Sequence, residues 1–66
     1  MENVLPAHRQ RLGWSQQRLA EELGVSRQTV ISIERGRYDP SLPLAFRIAR
    51  VFGCRIEELF SPDEQA

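Results

Sequence analysis

The residues with the most specific chemistry lie close together between positions 27 and 38. Arg27 carries a planar guanidinium whose paired donors match guanine O6 and N7, and Gln28 an amide that matches adenine N6 and N7. Ser32 adds a small hydroxyl, and Ile31 an aliphatic group of the kind that touches a thymine methyl. Arg35, Arg37 and Tyr38 follow as a basic-aromatic run suited to gripping a phosphate backbone. The same residue types also make an ordinary solvated helix face, so their presentation by the surrounding elements decides between the two. Tyr38 keeps two readings, a backbone contact or a ring packed over its own loop. Residue types usable in catalysis are isolated. His8 has no nucleophile or ligand partner near it in sequence and reads as a structural or phosphate-touching histidine. Cys54 reads as a buried structural thiol, with redox sensing as the alternative. Glu57 and Glu58 sit on one short helical turn with no partner and read as a solvated acidic face. One cysteine and one histidine make no zinc site. No enzymatic activity, metal, cofactor or small-molecule ligand is therefore expected.

The elements that must position these groups are helices. No run alternates apolar and polar residues over several positions, so no strand is predicted. A first helix is expected from about Val4 to Leu12, stopped at Gly13, with Pro6 tolerated in its first turn. Ser15 caps a second, Gln16 to Leu23, which Gly24 ends. Ser26 caps a third, Arg27 to Arg35, which Gly36 ends. After the Tyr38-Asp39-Pro40 loop, Ser41 caps a fourth helix that runs to Gly53, with Pro43 in its first turn. Ile56 to Phe60 reads as a short fifth helix. Residues 1–66 make a single domain with an ordered core of about 3–61 and a frayed polar tail at 62–66.

The connection Gly24-Val25-Ser26 is so short that the second and third helices must cross steeply, as in a helix-turn-helix. Ala20 permits close approach, and Leu19, Leu23, Val25, Val30 and Ile33 supply the apolar lock. At about 100° per residue, Val30, Ile33, Thr29 and Glu34 fall on one side of the third helix. Arg27, Gln28, Ile31, Ser32 and Arg35 fall on the other. The outer face thus collects the base-reading residue types. The N–H groups at the starts of the second and third helices are natural phosphate donors, assisted by Gln16 and Ser26.

Composition bounds the reading. The 66 residues are 41% hydrophobic and 27% charged, too apolar for a disordered chain and too polar for a membrane protein. The longest unbroken apolar stretch, Leu42 to Phe46, is far short of a membrane span. Without an apolar signal region after Met1, a cytoplasmic protein is expected. The net charge is zero, yet all nine basic residues are arginine. Residues 1–37 hold six of them against four acids, and residues 38–66 hold three against five acids. The chain has a basic and an acidic half, and arginine suits bidentate contact with phosphate or guanine.

The segment SQQRLAEELGVSRQTVISIERGRYDPSLPLAFRIARVFGCRIEELF resembles the Cro/CI-type (XRE) helix-turn-helix regulators of bacteria and their phages, above all the short members that consist of the DNA-binding domain alone. Ser15-Gln16, Leu19-Ala20, Leu23-Gly24-Val25-Ser26, Ile33-Glu34 and Gly36 sit at the family spacing, and the resemblance spans about residues 3 to 61. It implies an all-α, five-helix, lambda-repressor-like fold. It further implies a third helix inserted into the major groove of double-stranded DNA, with Arg27, Gln28 and Ser32 at the bases. Gln16 would touch a phosphate and brace the third helix. Ile31 departs from the polar residue usual in relatives. Members of the family pair the positions of Arg9 and Glu34, and Glu34 falls on the core-side arc, where an unpaired carboxylate is costly. The activity implied is transcriptional regulation, with repression by occupancy of an operator.

The fourth helix suggests a partner. Leu42, Ala45, Ile48, Ala49 and Phe52 form one apolar arc, which Leu44, Val51 and Phe46 widen to about 220°, more than one-sided packing needs. Leu44, Phe46, Val51, Ile56 and Phe60 are accordingly expected at a homodimer interface on a palindromic operator. The other outcome is a fifth helix that folds over this surface in the monomer. A rival function uses the same face: an antitoxin-like or adaptor module that binds protein. Zero net charge favours the rival, and the outward Arg27-Gln28-Ser32 set favours DNA.

Overall fold

Three serine hydroxyls start three of the helices. Ser15, Ser26 and Ser41 hold extended backbone and accept the N–H of Arg18, Thr29 and Leu44 respectively, satisfying donors that the first helical turn leaves free. The computed structural model describes residues 1–61 and orders them as β1 (Glu2–Asn3), α1 (Leu5–Arg11), α2 (Gln16–Leu23), α3 (Arg27–Glu34), α4 (Leu42–Phe52), α5 (Ile56–Leu59) and β2 (Phe60–Ser61). The expected tail at 62–66 lies outside the described residues. Helix ends are set by glycine. Gly24 has φ of +72° and Gly36 +74°, a region that costs other residues about 1–2 kcal/mol. At both, the glycine N–H and the one after it turn back to the last carbonyls: Gly24 to Glu21 and Val25 to Ala20, Gly36 to Ile33 and Arg37 to Ser32.

Two findings depart from the sequence reading. First, β1 and β2 form an antiparallel pair, Glu2 opposite Ser61 and Asn3 opposite Phe60, where only helix was expected. Phe60 therefore leaves α5 and turns extended, and Val4 N–H donates to Leu59 O at 3.0 Å to hold the seam. Second, the buried stretch of α4 differs at its start from the expected arc. Leu44, Ala45, Ile48 and Ala49 are buried, whereas Leu42 is 65% exposed. Leu42 occupies the first helical position beside Pro43, beyond the edge of the core. The core joins Leu5, Leu19, Leu23, Val30, Ile33, Leu44, Ile48, Leu59 and Phe60, and Trp14, Val25, Val51, Phe52 and Ile56 pack around it. Among the described residues no helix is long and apolar enough to cross a membrane.

Candidate nucleic-acid interface

α3 is held on its inner side by Val30 and Ile33, both almost fully buried. Arg27 and Gln28 are exposed, as are Arg35 and Arg37 beyond the helix end, and none of these arginines forms an ion pair among the described residues. Gln28, Ser32 and Tyr38 line one open concavity of about 190 Å³ together with Ser26 and Thr29. The loop after α3 thus brings Tyr38, half exposed, alongside the outer face of the helix. Ile31 and Ser32 are half-buried, so Ile31 is less open than the wheel implied. Thr29 is the residue that sequence reasoning missed. Expected on the core side, it is half-buried and faces the concavity, because its hydroxyl lies 2.9 Å from that of Ser26. The Ser-x-x-Thr spacing, which places these residues at the cap and the third helical position, was the available signal.

The helix is fixed from behind by an ion pair. Glu34 Oε2 accepts Arg9 Nε–H at 2.7 Å, and Oε1 accepts Arg9 Nη2 at 3.3 Å and Gln16 Nε2 at 3.1 Å. The side chains are 5% and 13% exposed for Glu34 and Arg9, and Arg9 Nη1 also donates to Trp14 O at 2.9 Å. Gln16 is therefore a brace between the start of α2 and the end of α3, and the whole cluster is satisfied. A second brace comes from α4. Arg47 donates from Nη1 to Leu23 O at 2.8 Å, closing the last turn of α2 beside Gly24.

The remaining candidates fall elsewhere. His8 stacks obliquely on Phe52, ring centroids 5.5 Å apart, and its Nδ1 lies 3.9 Å from Cys54 Sγ. Cys54 is half-buried rather than buried. Trp14 packs against the core edge, with the Arg18 guanidinium 4.9 Å from its ring centroid. Glu58 is not merely solvated: it accepts Arg55 N–H at 2.8 Å and so starts α5. Of the residues expected at a dimer interface, Leu44 and Phe60 are only 7% and 6% exposed and belong to the monomer core, because α5 packs on α4 and Phe60 joins the same buried cluster. Phe46 stays 52% exposed, and Val51 and Ile56 half-buried. Phe46 and Ile56 line a second concavity of about 300 Å³ with Ala49, Cys54, Arg55 and Glu57.

Two helices joined by a three-residue turn, the second with an apolar back and a polar front, define a helix-turn-helix domain. A family model described as helix-turn-helix matches residues 7–59. The chain is 55% identical over 60 residues to an HTH-type transcriptional regulator of Methanocaldococcus jannaschii, covering 91% of each chain. It is 52% identical to one of Methanothermobacter thermautotrophicus, covering 97% of this chain and 94% of that one, and 45% identical to one of Bacillus subtilis, covering 98% of both. Among solved structures it is similar to a hypothetical transcription factor from Neisseria, with a TM-score of 0.72 and 31% identity over 79% of this chain, while spanning 58% of that chain's length. The chain belongs to the XRE-type helix-turn-helix family of transcriptional regulators.

Proposed function

We propose that this protein binds double-stranded DNA sequence-specifically and regulates transcription by occupying an operator. α3 enters the major groove, where Arg27 and Gln28 read base edges, Ser32 adds a hydroxyl and Ile31 lies against a thymine methyl. Gln16, Ser26, Arg35, Arg37 and Tyr38 hold phosphates around it, which makes the binding salt-sensitive. The observation that carries this reading is the joint placement of Gln28, Ser32, Ser26 and Tyr38 around one open concavity beside exposed Arg27. Two copies associate through Phe46, Val51 and Ile56, and set two reading helices about 34 Å apart on a palindromic operator. Repression then follows from steric exclusion of polymerase. Selection from random duplex DNA, repeated at two salt concentrations, tests the reading. One enriched palindromic motif is expected, with affinity falling as salt rises. Enrichment of no sequence at either concentration overturns it.

A further inference from the structure

Asn3 lies 24 positions before Arg27, yet its side chain reaches the reading helix. Nδ2 donates to Ile33 O at 2.7 Å and to Met1 O at 3.3 Å, while Oδ1 accepts Leu5 N–H at 3.1 Å. Two carbonyls on one side and an N–H on the other leave only one amide orientation that satisfies all three. The backbone of Asn3 is itself clamped, paired with Phe60 in the strand ladder and followed by the Val4 to Leu59 bond. Ile33 O belongs to the last turn of α3 and already accepts Gly36 N–H at 2.9 Å. The next residue, Glu34, is the one that Arg9 and Gln16 hold.

These contacts divide the work of placing α3. Val30 and Ile33 set which face of α3 turns inward, and the bonds on Glu34 and on Ile33 O trim the rotation that remains. Hydrogen bonds are directional. A base-reading side chain must be placed to within about 0.5 Å, so a small rotation matters more to recognition than to packing. We propose that Asn3 is a specificity-determining positioning residue: its amide fixes the C-terminal end of α3 against the β1–β2 seam and thereby sets the angle at which Arg27 and Gln28 meet DNA. This rests on the DNA-binding reading above.

Asn3→Asp separates the two jobs of the side chain. It keeps the acceptor for Leu5 N–H and loses the donor to Ile33 O. The measurement is the ratio of affinities for the enriched duplex and a scrambled one, at fixed salt and well below the unfolding midpoint of each variant, which is recorded alongside. Losing one directional bond at the helix end is expected to lower that ratio about tenfold. Affinity for the scrambled duplex should fall only by what one added carboxylate costs in Asn3→Asp and stay within about twofold of the parent in the uncharged Asn3→Ser, because phosphate contacts dominate it. A purely structural role would lower the midpoint and leave the ratio alone. Should Asn3→Asp not fold, Asn3→Ser carries the same test, since its hydroxyl can face Leu5 N–H but is too short to reach Ile33. A parent that enriches a site whose ratio survives these substitutions overturns the assignment of Asn3. A parent that enriches nothing overturns the DNA-binding reading and this inference with it.

Discussion

Replacing Glu34 by glutamine changes almost no volume and removes one buried charge. Both carboxylate oxygens are in use, Oε2 by Arg9 Nε and Oε1 by Arg9 Nη2 and Gln16 Nε2. A glutamine amide must turn its NH₂ toward one of these donors, so at least one bond is lost whichever way it lies. The guanidinium that remains is 13% exposed, keeps the Trp14 carbonyl and at most the one amide oxygen, and has no counter-charge. Breaking a buried pair typically costs about 3–5 kcal/mol, and the residual hydration of Arg9 points to the lower end, about 3 kcal/mol. A domain of this size has a total stability of roughly 3–10 kcal/mol. The loss should move the melting midpoint by about 12–24 °C, at 4–8 °C per kcal/mol. Thermal and urea unfolding followed by far-UV circular dichroism reads the change. A Glu34→Gln protein that loses less than about 1 kcal/mol would behave as an exposed pair does and refute the reasoning. An Arg9→Met, Glu34→Gln double variant leaves no charge behind, and should lose clearly less than the two single losses added.

Arg27→Ala should cost about 1–3 kcal/mol on the enriched site and relax preference at one base pair, whereas Arg37→Ala should weaken every duplex alike and flatten the salt slope by about one unit; binding titrations on two duplexes over a salt series separate them. Gly36→Ala and Gly53→Ala should each lose about 1–2 kcal/mol to left-handed backbone, φ being +74° and +67°, and Gly36→Ala should lose more, since its Cβ would stand 3.3 Å from Met1 O while one at Gly53 meets nothing within 4 Å. Equal losses in urea would show that Met1 yields freely. Phe46→Ser should leave the melting midpoint near the parent's and shift sedimentation toward monomer. Leu44→Ala should instead cost about 2–5 kcal/mol, because that side chain is core. A Phe46→Ser protein that sediments as the parent does removes that residue from the dimer surface.

The helices were legible because their signals are local. Ser15, Ser26 and Ser41 at the starts and glycine at the ends act within one turn, and the observed bounds agree to a residue. The strand ladder was not, because two residues have no period to detect and their partners lie at the other end of the chain. The exposure of Arg27 and Gln28 followed from the wheel of α3, since Val30 and Ile33 anchor its phase. On α4 the wheel misled in part. Ala45, Ile48 and Ala49 are buried as the wheel placed them, but the periodicity does not show where the core ends along the helix, so Leu42 at the first position lies outside it and Leu44 inside. The Asn3 contact had no sequence signature at all, because its partner is a backbone carbonyl 30 positions away.

The seam between β1 and β2 also sets the order in which the molecule assembles. It joins residues 59 positions apart, Glu2 and Ser61, so closing it forfeits the largest loop entropy in the fold. Helices form in about 0.1–1 μs from contacts a few residues apart, and the α2–α3 turn needs a loop of only three. The ladder can add its few bonds only after the helices have condensed and brought β1 and β2 together. By the same reasoning it is the first part to come undone. The Asn3 bond to the end of α3 is thus expected to form late and to open early, while Arg9 and Gln16 hold Glu34 on that helix in the meantime.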